Sequence, residues 1–159
     1  GIPTLREVLA IVLPGKKIFI ELKAGPEIIP PLLIDIAASE LETQQIVVIA
    51  FDHHAIAALK AKAPAISACW LSGFKQSDTG AWSPSQQETL KTLAACAADG
   101  LGSSPDIPVT IVEAVLAAGF IHDVWTVDDL PTASRFAALG TRAITSNYPD
   151  RLAPLRSPH

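Results

Sequence analysis

The sequence predicts an α/β fold built from six successive βα units, and three observations carry that reading. Short apolar runs of β-type residues alternate with Ala/Leu-rich stretches of helical character. The runs start roughly 20–30 residues apart, about the length of one βα unit. Most are apolar on both faces, as strands must be when helices cover one side and a core the other. Two architectures satisfy this pattern: an open doubly wound sheet, and about six of the eight units of a TIM (β/α)8 barrel. No GxGxxG or P-loop pattern follows any run, so a nucleotide-binding open sheet loses its best support and the barrel is favoured. Residues 1–159 are read as a single partial-barrel domain.

The strands are expected over residues 17–24, 45–51, 65–72, 98–103, 122–127 and 142–147. Thr4-x-x-Glu7 has the form of a capping box, opening a helix that stops at Pro14-Gly15. Pro30-Pro31 belongs only in a first turn, so the next helix is expected from near Pro31. Asp52 is placed to cap a helix over residues 53–62, which ends before Pro64. Ser83-Pro84 supplies a cap and a first-turn proline ahead of residues 86–97. Residues 110–118 end at Gly119, and Asp128 is expected to cap a helix ending at Gly140. No Asn-Gly-type hairpin signal occurs; the polar stretch 73–83 reads as a long loop after the third strand, on the functional rim of a barrel.

The chain has 159 residues, 49% of them hydrophobic and 18% charged, which suits one compact domain and excludes a disordered chain. A net charge of −4 provides no basic field for nucleic acid or anionic lipid. No apolar run is long enough to span a bilayer, so stable membrane insertion is not expected. Gly1-Ile2-Pro3-Thr4 has the character of neither a signal peptide nor a translation start, and the sequence holds no Met. Cys69 and Cys96 lie in apolar surroundings without metal or redox spacing and read as buried thiols. The compartment stays open, with a slight preference for cytoplasm over periplasm.

Ile18-Phe19-Ile20-Glu21-Leu22-Lys23 is the most informative stretch. Alternation puts Ile18, Ile20 and Leu22 on one face and Phe19, Glu21 and Lys23 on the other. If the aliphatic set packs under helices, Glu21 and Lys23 face the barrel interior near the strand's C-terminal end, where TIM barrels build active sites. The alternatives are a Glu–Lys pair that only satisfies itself, or an edge strand with one wet face.

Four motifs resemble those of the glycerophosphodiester phosphodiesterases, in the family's order and over nearly the whole chain. Ile2-Pro3-Thr4-Leu5-Arg6-Glu7-Val8-Leu9 is similar to the helix "iPTLeEvL", and Glu21-Leu22-Lys23 to the strand motif E-[IL]-K. Val124-Trp125-Thr126-Val127-Asp128-Asp129 resembles "vWTVNd", and the segment from Ile144 to Asp150 resembles the closing "iiTdyPd". The resemblance implies a metal-assisted hydrolase of lipid and glycerol metabolism on a TIM barrel, acting on small glycerophosphodiesters. In it Glu21 would ligate a divalent metal, Mg²⁺ or Ca²⁺. Lys23 would meet a phosphate oxygen. Trp125 would line the substrate pocket, although a barrel-core aromatic is nearly as good a reading.

The departures are equally informative. The family's His-Arg-Gly strand, Glu-x-Asp pair and second histidine have no counterpart before Lys17, so roughly the first two βα units are expected to be missing. No catalytic residue is therefore assigned in this chain. Asp128 stands for the usual Asn and Ser146-Asn147 for the usual Asp motif, both at turn positions where such residues interchange. His53 and His54 follow the Phe51-Asp52 turn and read as solvated histidines at a helix start; His122 opens its strand at the end associated with stability; His159 lies in a terminal tail. Apart from Glu21, no His/Asp/Glu group shows metal-ligand spacing. Gly100, Gly102, Ser103 and Ser104, beside Asp99 and Asp106, are expected to form a tight turn rather than a ligand site, and Trp70, Ser72 and Trp82 are candidate rim residues.

The expected function is hydrolysis of glycerophosphodiesters to glycerol 3-phosphate and an alcohol by the intact enzyme, with this chain alone inactive. One rival is a non-catalytic partial barrel that associates through open sheet edges; a second is a related phospholipase-type barrel.

Overall fold

The computed structural model describes residues 1–155, and His159 lies outside the described residues. The chain divides into two compact units: residues 1–70 with 95–98, and residues 71–94 with the chain from Asp99 onward.

The first unit runs α1 (Leu5–Leu9), β1 (Ile18–Leu22), α2 (Ile29–Ala37), β2 (Ile46–Ala50), α3 (His53–Lys62) and the greater part of β3 (Ser67–Ser72). The three strands are parallel, with Glu21 beside Ile49 and Ile49 beside Cys69. The capping box of α1 forms: the Thr4 hydroxyl accepts from the Glu7 amide at 3.3 Å, and the Thr4 amide donates to the Glu7 carboxylate at 2.7 Å. That hydrogen bond to the Thr4 backbone, with the hydroxyl's, holds the Glu7 carboxyl below its usual range.

Asp52 caps α3 as the sequence predicts, accepting from the His54 amide at 2.8 Å. Helix α2 begins at Ile29, two residues before the expected Pro31. Its prolines fall in the first turn, where the missing N–H groups have no intrahelical partner to lose. Ile29, Ile46, Val47, Val48, Ile56 and Leu59 are completely buried, each worth about 1.5–3 kcal/mol of hydrophobic stabilisation. The Gln45 side-chain amide, just before β2, donates to the carbonyls of Leu13 and Lys16 at 3.2 and 3.0 Å and so ties down the entry to β1.

The second unit holds β4 (Lys75–Gln76), β5 (Trp82–Ser83), most of α4 (Gln86–Ala95), β6 (Gly100–Ser103), α5 (Val109–Ala117), β7 (Ile121–Val124), α6 (Leu130–Leu139) and β8 (Ala143–Ile144). Strands β6, β7 and β8 are parallel in chain order. The fold class is thus the one expected, part of a TIM (β/α)8 barrel: among the described residues there are six parallel strands, each but the last followed by an α-helix.

Several local expectations are corrected. The stretch 73–83 is not an open loop: β4 and β5 pair antiparallel, and the Ser77 and Gly80 backbones close the turn with Gly80 in the left-handed region. Ser85, not Ser83, caps α4, because it forms a reciprocal box with Glu88: its amide donates to the carboxylate at 2.7 Å. Asp129, not Asp128, caps α6, accepting from Thr132 at 2.9 Å. The last two strands are shorter than expected, although the Val127 amide still donates to Thr145 at 2.9 Å beyond the regular ladder. Among the described residues no helix is long and apolar enough to cross a membrane.

Candidate functional site

Strand β1 alternates as its sequence requires. Leu22 is buried and Ile18 and Ile20 half-buried, whereas Phe19, Glu21 and Lys23 are exposed. Glu21 lies one residue from the strand's C-terminal end and Lys23 just past it. The Lys23 ammonium donates to Glu21 Oε1, so the two predicted residues do meet. Their side chains are 33% and 77% exposed respectively, so water screens the pair and it adds little to stability. Lys23 is therefore a largely exposed cation in contact with one carboxylate.

At the end of the neighbouring strand β2, Asp52, His53 and His54 present a group that sequence reasoning missed. Their ligating atoms all lie within 4.8 Å of one another, and the two imidazole rings are 4.1 Å apart. This corrects the expectation that Glu21 alone has metal-ligand character. The available signal was a cap aspartate followed directly by two histidines, which a search for separated ligand spacings passes over. The turn beneath them is anchored by the buried Trp70, whose indole N–H donates to the Phe51 carbonyl at 3.0 Å. Trp70 is thus committed to this turn, and Ser72 is buried with its hydroxyl on the Gly73 carbonyl.

In the second unit Trp125 follows β7, half-buried, and its backbone amide donates to Ser103 at 2.9 Å. A Cβ on Gly102 would stand 2.6 Å from Leu71 Cδ2 and 3.4 Å from Trp125 Nε1, and one on Gly100 only 2.4 Å from the Ile121 carbonyl oxygen. Those glycines thus permit close packing of β6 against its neighbours; both lie within the strand, not in a turn.

His122 is completely buried, with Nε2 2.9 Å from the Ser103 hydroxyl and Nδ1 2.8 Å from that of Thr141. Burial pushes its pKa down to about 4, against an opposing pull from Asp123. It is a neutral structural residue, in keeping with its strand position. Asp123 and Arg142, which the sequence reading did not single out, form a forked ion pair at 3.0 and 2.5 Å. The Asp128 carboxylate accepts from the Ser146 hydroxyl and from both amides of Asn147. Its pKa is lowered, chiefly by the Asn147 side chain and backbone.

A hard divalent cation of the kind the sequence resemblance implies takes six or more oxygen ligands. Glu21 fits such an ion in donor type, as one carboxylate. Among the described residues it has no second and third ligand gathered about it.

Solved structures share this fold. A Silicibacter pomeroyi DSS-3 protein classed with the glycerophosphoryl diester phosphodiesterases superposes with TM-score 0.78 at 21% identity, over 96% of this chain and 55% of its own. An Oleispira antarctica phosphodiesterase, solved in complex with the product sn-glycerol-3-phosphate, gives 0.69 at 20% identity over 87% and 54%. The Thermotoga maritima glycerophosphodiester phosphodiesterase gives 0.72 at 18% identity over 97% and 64%. The chain thus spans a little over half the length of the first two and somewhat under two thirds of the third. No curated protein sequence matches it. The model of the glycerophosphoryl diester phosphodiesterase family matches residues 1–151, and the chain belongs to that family.

Proposed function

We propose that this chain carries the Glu-x-Lys part of a phosphodiesterase site that hydrolyses small glycerophosphodiesters to glycerol 3-phosphate and an alcohol. The observation that supports the reading is the Glu21–Lys23 contact at the C-terminal end of a parallel strand, the end at which barrels of this class place their chemistry. The product held by the Oleispira antarctica relative supports a small glycerol phosphate as the ligand. Lys23 neutralises charge that builds on the phosphoryl oxygens, and its exposed ammonium can leave Glu21 to do so. Glu21 offers a carboxylate oxygen to Mg²⁺ or Ca²⁺, and a bound cation would polarise a phosphoryl oxygen. For Trp125 a contact with the leaving alcohol in the intact enzyme is proposed on its motif alone. General acid and base roles fall to no histidine of this chain that matches a family motif, so the chain by itself releases little or no product.

The test is glycerol 3-phosphate release from glycerophosphocholine with Mg²⁺ or Ca²⁺. Robust turnover by the 159-residue chain would overturn the inactivity. A second reading, a non-catalytic module that self-associates, is favoured by β1, which pairs only with β2 among the described residues and shows Phe19 40% exposed. Light scattering that finds only monomer would remove it.

A further inference from the structure

The geometry points to a transition-metal site built from Asp52, His53 and His54, separate in chemistry from the hard-cation role proposed for Glu21 and independent of the phosphodiesterase reading. We propose that it binds Zn²⁺ or a similar borderline divalent ion. Two imidazole nitrogens and one carboxylate form a donor set that suits zinc, copper and nickel rather than magnesium or calcium.

The three side chains converge because of how α3 starts. Asp52 is its cap, and its Oδ1 accepts the His54 amide at 2.8 Å, which fixes the carboxylate where the chain turns upward out of β2. The other carboxylate oxygen keeps its lone pairs. His53 and His54 follow at once, so their rings leave the same first turn, 4.1 Å apart and tilted by 37°. All three ligating atoms lie within 4.8 Å of one another. Around a zinc ion with bonds near 2.0–2.2 Å, ligand atoms can be no more than about 4 Å apart. Closing the group therefore needs only small side-chain rotations, and His54 is exposed and His53 half-buried.

The support below is rigid. Ala55 and Ile56, the next two residues, are completely buried, and Trp70 clamps the Phe51 carbonyl immediately before Asp52. The positive end of the helix opposes a cation, and the Asp52 charge offsets it. Three protein ligands leave a position for water or for an anionic oxygen.

Calorimetric titration of the full chain with ZnCl₂ reads the proposal directly. The expected result is one zinc per chain, unaffected by excess Mg²⁺ or Ca²⁺. His53→Ala and His54→Ala should each weaken binding by more than the roughly tenfold that losing even a supporting partner costs a metal site. Asp52→Asn retains a good helix cap, so a folded protein that binds zinc weakly is expected there too. Glu21→Gln should leave the affinity unchanged, which separates this site from the phosphodiesterase one. Zinc binding that survives the double His53→Ala, His54→Ala substitution would overturn the proposal. So would loss of binding on His159→Ala alone, or a cobalt–thiolate absorption band showing that Cys69 or Cys96 holds the ion.

Discussion

Asp128 and Asn147 hold each other through two hydrogen bonds: the carboxylate accepts the Asn147 backbone amide at 2.8 Å and its side-chain amide at 3.1 Å. These are two positions at which the sequence departs from the motifs it resembles, Asp standing for Asn in one and Asn for Asp in the other. The departures meet in space. An acid and an amide are present in either arrangement, so the exchange keeps one charge and one complementary donor.

Each single reversal should therefore lower the unfolding midpoint, and the pair together should recover most of the loss. Asn147→Asp alone sets two carboxylates against each other; Asp128→Asn alone removes the charge that strengthens the bonds. A thermal double-mutant cycle measures this coupling, and strictly additive losses would refute it. The lowered Asp128 pKa has a definite sign: its stabilisation is complete above the unfolded value near 3.8 and is lost as pH falls through the lower folded value.

His122 gives a second pH dependence, in a higher window. Its folded pKa of about 4 lies below the ordinary 6.5, so the unfolded chain takes up the proton first. Its contribution to stability is intact above 6.5 and declines as pH falls toward 4, by about 3 kcal/mol at most. Urea unfolding of the wild type and of His122→Gln between those limits should show the gap between them narrowing with acidification.

Gly102→Ala should cost about 1–3 kcal/mol by overpacking against Leu71 and Trp125. Shortening the obstructing side chain in Gly102→Ala, Leu71→Ala should relieve the clash, so the double costs less than the sum of its parts. Gly100→Ala meets a backbone oxygen, for which no side-chain change compensates. Denaturant unfolding followed by tryptophan fluorescence separates the two cases.

Glu21→Gln and Lys23→Ala should leave stability within about 0.5 kcal/mol, because the pair is exposed. In a protein carrying the complete barrel, each should cut kcat by on the order of 10²-fold or more. Rates that stay at wild-type level with Glu21→Gln would take that residue out of the metal site.

The βα rhythm, the Thr4 and Asp52 caps and the faces of β1 were legible because each is set by residues adjacent in sequence. Asp129's capping of α6 was not, since Asp128 and Asp129 are chemically equal candidates until Ser146 and Asn147 claim the first. The short hairpin in residues 73–83 carries no strong turn dipeptide, and its closure depends on Ser77 and Gln76 bonding across the turn. The Asp52–His53–His54 cluster escaped notice because three consecutive residues normally diverge, and only the start of a helix folds them back together. Glu21 and Lys23 were identifiable from one strand, whereas any partners brought to them by other elements are by nature non-local.

The amide of Gln45 governs more than the turn it bridges. In a parallel ladder a slip of one residue reverses every side chain, sending Ile20 and Leu22 to water and turning Glu21 and Lys23 toward the helices. Gln45 grips Leu13 and Lys16 ahead of β1 and adds two hydrogen bonds to the alignment that the aliphatic face of the strand already favours. Orientation of the charged pair is in this way reinforced upstream, by a neutral side chain at the far end of the strand from both of them.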